Sequence, residues 1–318
     1  MSRRIIFIFI GTLLVLLAAP VLRVRSEGVG QTETQPEVIK VGIYLLRAGS
    51  LDISTGAIDV DFYIDFTCQN LCDKKQDKFE VVNGLLKSAV LLDDADSAHN
   101  PTYRASATVF QDVDLKQYPF DKHQVKIVIE SSNYDESQVA YVVNTQTTAI
   151  DPKVFILGWE LDRTPKAKIV EQYYEAWDLS YTRYEFSTNL SKPALAGWLK
   201  GLLPAIFITL SSLFALFITS KNIGNRVAII TSSLVASVLY HLNFTSRVPS
   251  IGYLTFADTF MMINYVIILI SLALTIWIVR TDNPDHQAAV AKVNKVEVFA
   301  IPALWLLLQI LNALWILR

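Results

Sequence analysis

Ile58-Asp59-Val60-Asp61-Phe62-Tyr63-Ile64-Asp65-Phe66 alternates without a break, with apolar side chains at the even positions and three aspartates and a tyrosine between them. A period of two puts the apolar set on one face of an extended chain, so the segment predicts a strand with one face in a core and the other in water. Similar short runs occupy residues 38–46, 79–92, 103–110, 125–130, 139–143 and 179–190, divided by polar and turn-forming residues. Many short strands without helical periodicity, internal repeat or low-complexity linker predict an all-β, immunoglobulin-like sandwich.

Beyond residue 193 the pattern changes. Apolar stretches at 198–219, 227–244, 259–279 and 296–317 are nearly free of charge, and each has about the 20 residues that a bilayer core requires. The expected architecture is an extracellular sandwich over 27–193 followed by an all-α four-helix transmembrane domain over 194–318, with helices near 198–219, 225–246, 257–280 and 296–317. Lys221 and Arg226 flank the first inter-helix turn, and Arg280, Lys292 and Lys295 fall between the third and fourth stretches. Positive charge marks cytoplasmic connections, which leaves the sandwich outside. Residues 1–26 carry Arg3 and Arg4 ahead of an apolar run over 5–19. That pattern predicts an export signal, with a retained anchor as the alternative because Val21 and Leu22 lengthen the run. The expected location is an inner or plasma membrane, crossed several times.

Between residues 27 and 193 there are 26 Asp and Glu against 16 Lys and Arg, a balance of −10 that the whole-chain −2 conceals. Such acidity argues against nucleic acid as a partner. It either solubilises the domain or concentrates cations around it. The two cysteines, Cys68 and Cys72, are too isolated for a zinc cluster and leave a local disulfide or two thiols as alternatives. The four histidines at 99, 123, 241 and 286 have no ligand-like spacing. No cofactor motif, catalytic constellation or repeated halves of a transporter are legible.

The decapeptide Leu115-Lys116-Gln117-Tyr118-Pro119-Phe120-Asp121-Lys122-His123-Gln124 resembles the Pro-Phe-Asp loop of the Cys-loop receptor superfamily. Further matches follow in order: Gly158-Trp159-Glu160, Pro204 inside the first apolar stretch, Pro249 after the second, and Phe299-Ala300-Ile301-Pro302 opening the last. With Ile43-Tyr44-Leu45 and Ser50-Leu51-Asp52, they make the chain from Val38 onward similar to prokaryotic pentameric ligand-gated ion channels of the proton-gated cyanobacterial type. It departs from relatives in three ways. Phe110 and Val125 stand near the places of the bracketing cysteines, Arg47 and Gly56 stand where acids would support proton gating, and the stretch from Phe66 to Leu115 is short.

The resemblance implies five subunits, expected to be identical, with the second helix around a pore that passes inorganic ions in response to a small-molecule or proton agonist. Ala228, Ser232, Val235, Leu239 and Leu242 recur at steps of four and three on one helical face. By resemblance they line the axis, hydroxyl-bearing or small toward the cytoplasm and aliphatic toward the outside. Val235, Leu239 and Leu242 would form an apolar gate. Packing in a bundle, or the shifted register Thr231, Leu234 and Val238, are the alternatives. At the cytoplasmic mouth stand Gly224, Asn225 and Arg226. An arginine facing the lumen would favour anions; one facing away leaves the acidic ectodomain to favour cations. Asp52, Asp121 and Lys192 are implied at the coupling between domains. Tyr134, Tyr173, Tyr174, Trp177 and Tyr181 resemble an aromatic agonist cage, with ordinary strand composition as the alternative. His241 is either an intramembrane hydrogen-bonding group or a proton sensor. A membrane receptor without a pore is the rival function.

Overall fold

The computed structural model describes residues 35–68, 78–92, 100–219, 222–281 and 284–316. The segment 1–26, Cys72, His99 and Lys221 lie outside the described residues.

The strands are β1 (Glu37–Ala48), β2 (Ala57–Cys68), β3 (Phe79–Val81), β4 (Gly84–Leu91), β5 (Thr102–Phe110), β6 (Lys122–Ser131), β7 (Val139–Val143), β8 (Ala149–Ile150), β9 (Glu160–Leu161), β10 (Lys166–Tyr174) and β11 (Leu179–Ser191). They form two sheets: β4-β5-β2-β1-β7, with β8 also on β1, and β10-β11-β6-β3, with β9 also on β11. The alternation in β2 is realised in full, since Ile58, Val60, Phe62, Ile64, Phe66 and Cys68 are all buried. Tyr184, Phe186 and Leu190 of β11 enter the same core from the opposite sheet, where burial of each large apolar side chain contributes about 1.5–3 kcal/mol. Cys68 ends β2 and is disulfide-bonded.

Two features depart from the expected strands. The run 79–92 divides into β3 and β4, which belong to different sheets. Asn83 makes the division: its Nδ2 donates to the carbonyls of Phe110 (3.3 Å) and Lys126 (2.9 Å), while its Oδ1 accepts from the Val128 amide (3.0 Å). One amide side chain therefore satisfies backbone groups of both layers. β10, with its polar sequence KAKIVEQYY and partial burial, carries no alternation that bounds it as a strand, since a half-exposed edge needs none.

The β1–β2 connection turns at Gly56, whose φ is +73° and whose amide and carbonyl bond to Asp52 and Gln111. A Cβ there would overlap the Gln111 carbonyl oxygen. Gly56→Ala is therefore expected to destabilise the sandwich by roughly 1–3 kcal/mol through the left-handed backbone alone. A lowered thermal midpoint checks it, and an unchanged one refutes the argument.

Four helices long and apolar enough to cross a membrane follow: α1 (Ala194–Phe217), α2 (Ile223–Thr245), α3 (Phe256–Thr281) and α4 (Gln287–Ile316). The last begins earlier than expected, at Gln287, because a polar stretch precedes its apolar part. α1 opens with a wide turn over Gly197–Leu202. Pro204 lacks an amide hydrogen, so the backbone ladder is broken there, and the Tyr240 hydroxyl of α2 donates to the carbonyls of Gly201 (2.7 Å) and Lys200 (3.3 Å). A side chain thus replaces what the ring removes, as the apolar interior requires.

Candidate pore helix and domain junction

α2 presents two faces. Arg226, Ile230, Ser233, Ser237 and Phe244 are buried against the other helices. Ala228 and Ser232 are exposed, as are Val235 (58%), Leu239 (62%) and Leu242 (63%). All five residues proposed from their spacing therefore share the face that the single chain leaves uncovered. In the shifted register, Thr231 and Leu234 turn partly into the bundle and only Val238 is exposed. Thr231 also returns its hydroxyl to the Val227 carbonyl at 2.9 Å.

Polar contacts fix this rotation. Arg226 is fully buried, donating from Nε to Thr275 Oγ1 (2.9 Å), from Nη1 to Asn294 Oδ1 (3.2 Å) and from Nη2 to Glu297 Oε1 (2.6 Å). Ser233 bonds Ser211 of α1 at 2.9 Å. Higher up, His241 Nδ1 meets the Tyr265 hydroxyl (2.9 Å) and Nε2 meets Asp258 Oδ1 (3.0 Å), both on α3. Apolar side chains gain little by leaving lipid for protein, so in a membrane such contacts, with close packing, choose the face a helix turns inward. Arg226 thus lies inside the helix bundle, away from the exposed stripe, whereas Gly224 and Asn225 are exposed at the helix start.

The Pro-Phe-Asp loop, with a cis Tyr118–Pro119 peptide, seats the sandwich on the helices. Its Lys116 and Tyr118 carbonyls accept from the Phe256 (2.7 Å) and Ala257 (3.1 Å) amides, and its Leu115 amide donates to the Tyr253 hydroxyl at 3.0 Å. Phe120 packs on Trp198 and Phe256, and Tyr118 on Phe244, with ring centroids 5.3–5.8 Å apart. Gly197 lets α1 approach, because a Cβ there would lie 2.9 Å from the Phe120 ring.

Asp121 and Lys192 do meet at this base, but through the backbone: the Lys192 amide donates to the Asp121 carbonyl at 3.2 Å. The carboxylate's side-chain partner is instead His123, with Nε2 2.9 Å from Oδ2 and both side chains 1% exposed. Lys192 lays its ammonium over the Trp159 ring, 3.9 Å from the centroid. Burial lowers the pKa of Lys192, partly offset by the charge on Asp121. Sequence reasoning missed His123 and Trp159 as members of this cluster, although the step of two from Asp121 to His123 puts both on one face of an extended chain and could have paired them; Trp159 comes from a distant loop and had no such signal. Asp52 is exposed, and its carboxylate is taken up by the turn it starts, accepting from the Ser54 amide and the Thr55 hydroxyl at 2.8 Å. These bonds hold its pKa below the usual value.

Of the aromatic candidates, Tyr174, Trp177 and Tyr181 come together around the β10–β11 hairpin, with centroids 5.4 and 5.6 Å from Tyr174. Tyr173 is exposed beside them and bonds Asp178 at 2.9 Å. Tyr134 instead packs against the sandwich core. A cation already covers one face of Tyr174: the Arg183 guanidinium lies 5.5 Å from its centroid, bonded to Glu130 Oε2 (2.5 Å) and the Tyr174 hydroxyl (2.6 Å). Arg183 and Glu130 face each other across β11 and β6, a register no single-strand pattern announces.

No family model matches the chain. It is similar to the proton-gated ion channel of Gloeobacter violaceus, 21% identical over 213 residues, which cover 66% of this chain and 58% of that one. It is also similar to an acetylcholine-gated chloride channel subunit of Caenorhabditis elegans, 26% identical over 54% of this chain and 36% of the relative. A gamma-aminobutyric acid receptor beta-4 subunit of Gallus gallus is 22% identical over 53% and 34%. Each match spans less than two thirds of the relative's length. In sequence, and in having a β-sheet domain followed by four membrane-capable helices, the chain resembles the pentameric ligand-gated ion channels of the Cys-loop receptor superfamily, the proton-gated bacterial type among them.

Proposed function

We propose that the chain is one subunit of a homopentameric ligand-gated ion channel, with an extracellular sandwich over 27–193, a pore domain over 194–318 and a removed export signal over 1–26. The observation that carries this reading is the uncovered stripe Ala228, Ser232, Val235, Leu239 and Leu242 on a helix whose opposite face is pinned by polar contacts. One stripe on one helix cannot enclose a path, but cyclic repetition can. Ser232 supplies a hydroxyl to hydrated ions. Val235, Leu239 and Leu242 supply a constriction that dries when narrow, because an ion there would lose hydration without receiving ligands.

The Pro-Phe-Asp loop would carry motion from sandwich to helices through its backbone bonds to the start of α3 and its aromatic contacts with α1 and α2. Asp121 and Lys192 would tie the loop to the strand leading into α1, while Asp52 would act through its turn. An agonist would engage the aromatic group of Tyr173, Tyr174, Trp177 and Tyr181 at the β10–β11 hairpin, with Tyr134 acting from the sandwich side.

The pore would prefer cations. Arg226 is spent on Glu297 inside the bundle, so no ring of guanidinium groups opposes the field of the acidic ectodomain. Reconstituted in planar bilayers under a salt gradient, the channel is expected to show a reversal potential shifted toward the cation equilibrium potential, more so at low ionic strength. A shift toward chloride would overturn the selectivity. Silence across a broad ligand and pH screen would favour the receptor without a pore.

A further inference from the structure

Val154-Phe155-Ile156-Leu157, in the loop between β8 and β9, alternates in burial as a strand does. Val154 and Ile156 are 3% exposed and belong to the sandwich core, whereas Phe155 and Leu157 are 73% and 81% exposed. Among the described residues of the sandwich no other large apolar side chain is as exposed. The loop is braced in this orientation. Arg163 donates from Nη1 to the Asp151 carbonyl (3.1 Å) and from Nη2 to the Val154 carbonyl (2.7 Å), and the Val154 and Trp159 amides close turns on the Asp151 and Ile156 carbonyls, each at 3.0 Å. Two large apolar side chains held side by side toward the outside make a tip that water disfavours, the mark of a surface meant to be covered.

The loop stands at the level where the helices begin. Gly158 lines a cavity together with Ala196 and Gly197 of the first turns of α1, and the Trp159 ring lies under Lys192, just ahead of that helix. The same turns of α1 carry exposed Leu195, Trp198 and Leu199, so apolar side chains are turned outward on the helix side of this level too, and tryptophan favours the membrane interface. We propose that Phe155 and Leu157 form an apolar tip that enters the outer leaflet of the bilayer and sets the height of the sandwich above it. A tip of this size reaches roughly 5–10 Å into the boundary between headgroups and acyl chains. The inference needs the helices to span a bilayer with the sandwich outside but needs no pore, so a silent channel would leave it standing.

The test places an environment-sensitive nitrobenzoxadiazole label on Leu157→Cys in the full chain, in nanodiscs of phosphatidylcholine. Its emission is expected to be blue-shifted relative to the same label on Glu175→Cys, at the β10–β11 hairpin on the far end of β11. A nitroxide near the headgroup end of the acyl chain should quench it about threefold more than one near the methyl end, because the tip lies shallow. Phe155→Cys should report the same depth, so that one variant decides if the other fails to assemble; both positions face outward, and the core residues Val154 and Ile156 are untouched. A blue-shifted label that neither nitroxide quenches would mean that a neighbouring copy covers the tip. A label as wet as that on Glu175→Cys would mean that nothing does. Either result overturns the proposal.

Discussion

Leu239→Ser is expected to raise the resting conductance about tenfold or more. The side chain stands 62% exposed on the uncovered face of α2, where five copies would meet at the proposed constriction. A hydroxyl there lets water remain when the apolar ring would expel it. A bias of only about 0.3 kcal/mol per subunit sums to about 1.5 kcal/mol over five, and roughly 1.4 kcal/mol is tenfold in an equilibrium constant. Val235→Ser should act in the same direction. Val238→Ser decides the register, since Val238 is also exposed (42%) but belongs to the shifted stripe. Single-channel recordings in which Val238→Ser opens the pore and Leu239→Ser does not would move the lining by one residue. No change in any of the three would remove this stretch from the gate.

Removing one partner of the Arg226–Glu297 pair should be the most damaging change in the helical domain. The side chains are 0% and 1% exposed, so Arg226→Ala leaves a buried carboxylate with no countercharge, and Glu297→Ala leaves a buried guanidinium held only by the neutral Thr275 and Asn294. Breaking a buried pair from one side costs about 3–5 kcal/mol, whereas replacing both partners with apolar groups of similar volume is often neutral or better. The expected result is a strongly lowered midpoint of thermal unfolding in detergent for each single variant, and recovery in Arg226→Met/Glu297→Leu. The selectivity argument adds a second readout. In the double variant the reversal potential should stay where it was, because the guanidinium was not in the lumen. A double variant as unstable as the singles would show that Thr275 and Asn294, rather than the charge pair, hold the helices together.

The two variants probe contacts of different legibility. That the α2 stripe is an uncovered face was implied by the resemblance alone, but strand β2, the four apolar stretches and the steps of that stripe could be read from residue types and their spacing. Each is a property of one segment: a period of two or of 3.6 assigns side chains to faces without reference to a partner, and span length follows from bilayer thickness. The tyrosine cluster at the β10–β11 hairpin was legible as composition, but not that Tyr134 stands apart from it or that Arg183 already covers Tyr174. The second follows from register between β6 and β11, and the first from packing of the loop after β6 against the sandwich core.

The sequence by itself determined the two-part architecture, the number and order of the membrane-capable helices and the steps of the α2 stripe, because local periodicity and segment length suffice for these. Only the tertiary structure decided which way Arg226 points, that Asp121 takes His123 rather than Lys192 as its side-chain partner, and that residues 79–92 cross between sheets at Asn83. Those outcomes depend on which buried donor lies within about 3 Å of which acceptor. Arg226 and Glu297 stand 71 residues apart in the chain, and their meeting is settled by helix rotation and packing that no window of the sequence contains.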